Sequence, residues 1–246
     1  MLTAALAGCG AGAPVPAPQG PPAARHGERA LLELTVIEEV RAALVSASNL
    51  YAAQRAAEAR RHVRRARALY AAELRRGVRG RDDVLDREVV AAFAAIDADL
   101  RRRAPLAVLR ERIGALSGQL LDAVEGLLVP ASARADAGAR AEVLSRTLGT
   151  LDRAYAYGLG PGSGRPERRF QLERAYGLLA RSQSSARGLV SSLGPDKDPV
   201  LLALSTVRMR AFPVGILRPP GAAPPAELHG SVRRLQQALA RRYRLE

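Results

Sequence analysis

The chain has 246 residues, 48% of them hydrophobic and 25% charged, with a formal net charge of +14. That balance is globular and excludes wholesale disorder, and no stretch approaches the ~20 consecutive apolar residues of a membrane-crossing helix. One cysteine, Cys9, excludes a disulfide framework, and three scattered histidines, His26, His62 and His229, supply no His/Cys metal spacing.

Almost all the positive charge is arginine, since Lys197 is the only lysine. Aromatics are 4%, Trp is absent, and the arginines run through nearly every helix instead of gathering beside stacking rings. Nucleic acid is therefore the weakest partner class. Anionic headgroups, which attract arginine with no need of base contacts, fit better.

The N-terminal Leu6-Ala7-Gly8-Cys9 resembles the bacterial lipobox, in which the cysteine is diacylated and opens the mature chain. The Gly/Ala/Pro-rich run that follows forms neither a packed helix nor a ladder and suits an extended spacer. Residues 1–8 thus read as a truncated signal peptide, and 9–27 as the lipidated Cys9 with its linker. Only eight uncharged residues precede Cys9, fewer than the basic region and ~7–15 apolar residues of a full signal. The anchor therefore calls for a start upstream of Met1; the other reading is a low-complexity tail with an incidental cysteine.

From Glu28 onward the pattern is helical. Leu85, Val89, Phe93, Ile96 and Leu100 form one face of a helix over Asp83–Arg103. Leu106, Leu109, Ile113, Leu116, Leu120, Val124 and Leu127 form the next, after Pro105 in a permitted first-turn position. Leu228, Val232, Leu235, Leu239 and Tyr243 do the same at the C-terminus. Asp198-Pro199 is an N-cap signal; Gly160–Gly164 and Arg218–Pro225 read as loops. No segment alternates with period two between turns, so no sheet is expected.

The body also reads as duplicated. Tyr51 and Tyr70 are nineteen residues apart, as are Tyr157 and Tyr176, and each half ends in a Pro-started helix. The expectation is an all-α, up-down bundle of two tandem four-helix units, 28–129 and 139–246, joined across Pro130–Gly138, which lacks strong apolar residues. The four tyrosines either line a pocket or, as the commoner arrangement, pack in the core with hydroxyls at its rim.

The run from Val36 to Val124, with Tyr51, Ala66-Arg67-Ala68-Leu69-Tyr70, an acidic helix carrying Phe93 and a Pro105-started helix, resembles the helical extracytoplasmic domain of bacterial high-affinity iron permeases. Ala175-Tyr176-Gly177 and Ala211-Phe212-Pro213 look like the later part of that region. The permease membrane helices with their Arg-Glu-x-x-Glu motif are absent, and Arg75 stands where the family often places an acid. The resemblance implies a soluble accessory to the uptake of iron or another cation, with a permease or other envelope protein as partner.

Candidate chemistry is sparse. Hard cations need several converging oxygens, and the best acidic cluster is Asp82, Asp83, Asp86 and Glu88. First-turn acids equally serve to cap free amides and oppose the helix dipole. Asp97 and Asp99 are expected to be solvated, and His62, among arginines, to lie at the surface. No Gly-x-Ser-x-Gly elbow and no phosphate loop of Walker type is present. The expected function is a non-enzymatic, lipid-anchored envelope protein, either a cation-uptake accessory or a helical adaptor that binds a protein or anionic lipid.

Overall fold

The computed structural model describes residues 27–160, 166–189, 198–213, 215–216 and 222–245. Among these residues the chain is helical throughout, with no strand. Helix α1 is Glu28–Ala52. Helix α2 covers residues 56–81 as Ala56–Leu69 and Arg75–Arg81 joined by a π-helical turn, Tyr70–Leu74. Helix α3 is Asp83–Arg102. Helix α4 covers residues 106–128 as Leu106–Gly114 and Leu121–Leu128 around a second π-turn, Ala115–Leu120. A short α5, Ala131–Ala135, precedes α6, Ala137–Leu159. Then come α7 (Pro166–Leu189), α8 (Pro199–Ala211) and α9 (Pro225–Tyr243).

The expected apolar faces are the ones buried in α3 and α9. Leu85, Val89, Phe93, Ile96 and Leu100 are all buried, as are Leu228, Val232, Leu235 and Leu239. In α4 the register changes part-way. Leu109, Ile113, Leu116 and Val124 are buried as expected, but beyond the π-turn Leu121 and Leu128 are the fully buried leucines, with Leu120 and Leu127 partly buried against the core. A π-turn takes up one extra residue, which rotates the core-facing stripe after it toward Leu121 and Leu128 while Val124 stays within it.

Two apolar clusters follow the chain order. The first gathers α1–α4 around Ile37, Leu44, Tyr70, Phe93 and Leu116. The second gathers α6–α9 around Leu148, Tyr155, Leu178, Phe212 and Leu235. Helix α1 serves both, because Ala42 packs into the second cluster while its neighbours fill the first. Where α7 crosses α1 the backbones nearly touch: a Cβ on Gly177 would overlap the Ala42 carbonyl oxygen and Ser46 Oγ. Ser46 Oγ also donates to the Glu173 carbonyl at 2.8 Å. The expected junction at Pro130–Gly138 is ordered as α5 and the start of α6, with Ala133 buried.

Sequence punctuation fixes the helix ends. Asp82 Oδ1 accepts from Leu85 N at 2.9 Å, and Asp198 Oδ1 accepts from Val200 N at 2.8 Å and Leu201 N at 3.3 Å. Helices α1, α3 and α9 close on Gln54, Arg103 and Arg244, each left-handed with φ between 52° and 61°. The amide after each reaches back five residues, Ala104 N to Asp99 O at 3.0 Å for example, which satisfies a terminal carbonyl.

One tyrosine contact recurs. Tyr51, near the end of α1, donates to the Ala104 carbonyl just before Pro105. Tyr155, near the end of α6, donates at 2.7 Å to the Ala223 carbonyl just before Pro224. It is Tyr155, not Tyr157, that makes this contact.

Candidate functional site

The four candidate metal ligands do not converge. Asp82 is occupied as the cap of α3. Asp83 is exposed and pairs along the helix surface with Arg79 and Arg87. Asp86 is buried, and its Oδ1 accepts from Tyr70 Oη at 2.9 Å and from Arg75 Nε at 3.1 Å. Burial, then the Asp86 carboxylate, pushes the Tyr70 hydroxyl far above its ordinary value, so it stays protonated and keeps donating. Glu88 is exposed. Among the described residues no group of three His, Cys, Asp or Glu side chains is placed to hold a metal ion. Arg75 neutralises the buried Asp86.

The same pairing consumes most buried carboxylates. Asp99, expected in solvent, is buried between Arg102 at 2.5 Å and Arg112 at 2.8 Å. Asp97 is the surface one of the two, shared by Arg60 at 3.0 Å and Arg101 at 3.3 Å. Asp198 has no exposed surface and pairs with Arg242 at 2.7 Å.

His62 is the largest departure from expectation, with a relative exposure of 0%. Its ring stacks on Phe170 of α7 at 4.4 Å, and its Nε2 lies 3.3 Å from Glu173 Oε2. Glu173, itself buried, also meets Arg55 at 3.2 Å. The helix period explains this: His62 shares a face with the buried Ala59, Val63 and Ala66, while Arg61, Arg64 and Arg65 point outward.

A second network joins the two halves. Arg41 lies on the core face of α1, in line with Ile37 and Leu44. It donates to Glu38 at 2.9 Å, Glu125 at 3.1 Å, Asp122, and the Ser117 carbonyl at 3.2 Å within the α4 π-turn. Glu38 in turn takes Arg181 of α7 through two contacts of 3.0 Å. Burial alone would raise the Glu38 carboxyl, but Arg181 and Arg41 outweigh it and hold it below its ordinary value.

Beyond these pairs, several arginines remain at the surface. On α2, Arg61, Arg64, Arg65 and Arg67 are exposed, and none forms an ion pair among the described residues. Burial, then the nearby Arg174, depresses the Arg65 guanidinium, with Glu39 opposing them. Of the tyrosines, Tyr70 is core, and Tyr51 and Tyr176 are half-buried. Tyr157 is 53% exposed beneath the Arg168 guanidinium at 4.5 Å, not in the core. No described helix is long and apolar enough to cross a membrane. Cys9 and its spacer up to His26 lie outside the described residues. Compared with protein-family models, curated proteins and solved structures, the chain has no match.

Proposed function

We propose that this protein is a non-enzymatic helical adaptor of the bacterial cell envelope, tethered through a lipid on Cys9, that rests an arginine-rich helix face on anionic phospholipid. The observation that carries this reading is the division of charge. Buried carboxylates are matched to arginines inside the bundle, while Arg61, Arg64, Arg65 and Arg67 stand exposed and without ion pairs on α2. Each arginine near an anionic surface contributes about 1 kcal/mol, so four on one helix give useful affinity once a tether holds the body close. A Pro/Gly/Ala-rich spacer over residues 9–27 suits such a tether.

The body is a duplicated four-helix unit in this reading, supported by the paired Tyr51–Ala104 and Tyr155–Ala223 contacts before Pro-started helices. The cation-uptake role implied by the family resemblance has less support, because Asp82, Asp83, Asp86 and Glu88 are committed to separate local tasks or stand apart.

Metabolic labelling with a palmitate analogue, in bacterial cells carrying the complete gene, tests the tether. Wild-type protein is expected to carry the label and Cys9→Ser to carry none, with the variant shifting out of the membrane fraction. Unlabelled wild-type protein would overturn the tether.

A further inference from the structure

A cleft of about 300 Å³ lies where α1, α4, α5, α6 and α7 meet, away from the exposed arginines of α2. Its lining includes four arginines, Arg41, Arg134, Arg140 and Arg181, and three carboxylates, Glu38, Asp122 and Glu125. The carboxylates are already engaged. Glu38 Oε1 accepts from Arg41 at 2.9 Å and Arg181 at 3.0 Å, and its Oε2 from Arg181 at 3.0 Å and Ser185 Oγ at 3.1 Å. Asp122 and Glu125 both accept from Arg41.

The other two arginines are held differently. Arg134 Nε donates to the Val129 carbonyl at 3.2 Å, and Arg140 Nε to the Arg134 carbonyl at 2.7 Å. Each guanidinium is thus pinned at its Nε by backbone, and among the described residues neither meets a carboxylate. The short α5 and the Asp136 cap of α6, which accepts from Ala139 N at 2.7 Å, fix the spacing of this pair. What the cleft offers a ligand is therefore donors: two guanidinium forks and the exposed Ser184 hydroxyl, beside apolar Leu34 and Val143. Four positive charges against three negative leave the site one unit positive before anything binds.

Planar guanidinium forks match tetrahedral oxyanions bidentately, and two forks offer more donors than one carboxylate accepts. The volume is at the lower end for ligand pockets, enough for a phosphate and a small organic group. We propose that this cleft binds a phosphate monoester, with Arg134 and Arg140 as its principal contacts. The site stands on residues separate from those that carry the lipid-surface reading.

The test is a calorimetric titration of the full chain with glycerol 3-phosphate, repeated with phosphatidic acid vesicles. Saturable one-to-one binding is expected, weakened at least tenfold by Arg134→Ala/Arg140→Ala. The control Arg233→Ala/Arg234→Ala, which removes equal charge from the exposed face of α9, is expected to change it less than twofold. Should the cleft variant fail to fold by circular dichroism, Ser184→Asp places a carboxylate at the mouth from an exposed position and is expected to cause the same loss. Displacement of vesicles by soluble glycerol 3-phosphate assigns the site to free phosphate monoesters. Cleft-dependent vesicle binding without soluble binding assigns it to a lipid headgroup. Binding that does not saturate, or that weakens equally in the α9 control, overturns the site. Substitution of Arg61 and Arg64 on α2 is expected to leave soluble binding unchanged, so failure of either proposal is read separately.

Discussion

Each buried carboxylate in this bundle sits within reach of a cation, and Asp198 illustrates what that implies. Burial alone would raise its carboxyl, but the Arg242 guanidinium and the Val200 and Leu201 amides outweigh that and hold it below its ordinary value. A carboxyl with a lower pKa folded than unfolded contributes stability above its unfolded value, about 4, and loses it as pH falls through the folded value. Stability of the wild type is therefore expected to fall as pH drops from about 5 to about 2, and Asp198→Asn to flatten that fall while lowering stability at pH 7. Urea unfolding at several pH values measures both, and parallel curves would contradict the assignment. The cap at Asp198 was legible in the sequence because Asp-Pro before an apolar run has one common use. The inward turn of His62 and Arg41 was harder to see. Both lie on apolar helix faces, beside Val63 and between Ile37 and Leu44, but the arginines around His62 and the charge of Arg41 itself mask that signal.

At the scale of the element, two features resist a reading from regular periodicity. The first is the π-turn in α4. An unbroken 3.6-residue stripe selects Leu120 and Leu127, whereas the core holds Leu121 and Leu128, and nothing local distinguishes adjacent leucines. Deleting Gly118 from this turn is expected to restore an ordinary helix with both flanking faces still aligned. The cost is about 2 kcal/mol, from loss of the Ser117 carbonyl as an acceptor for Arg41. Deleting Glu111, in the regular part, turns the remainder of the helix by about 100° and is expected to abolish folding. Equal damage from the two deletions, by thermal melting, would rule this out. The second is the α1–α7 crossing. Alanine favours a helix over glycine by about 1 kcal/mol, yet a Cβ at Gly177 meets α1 backbone, which cannot swing aside as a side chain does. Gly177→Ala is expected to destabilise by at least about 2 kcal/mol despite its better propensity. A neutral or stabilising result in chemical denaturation would show that the helices separate freely.

For the whole molecule, the all-α class and the course of most helices follow from periodicity, proline and capping residues, because those act within a few residues of each other. What periodicity leaves open is how α1 is shared between two apolar clusters and which arginines meet distant acids, as in Arg41–Asp122, 81 residues apart, and Arg181–Glu38, 143 apart. Sorting paired from unpaired arginine requires the packed structure, and on α2 it leaves Arg61, Arg64, Arg65 and Arg67 exposed without ion pairs among the described residues. The most direct test is partition of the protein onto phosphatidylglycerol vesicles across a range of salt concentrations. Binding is expected to exceed that to phosphatidylcholine, to fall as salt rises, and to drop at least tenfold in Arg61→Gln/Arg64→Gln/Arg65→Gln/Arg67→Gln with a shallower salt dependence. Equal binding to both lipids, or a quadruple variant that binds like the wild type with an unchanged salt dependence, would contradict it.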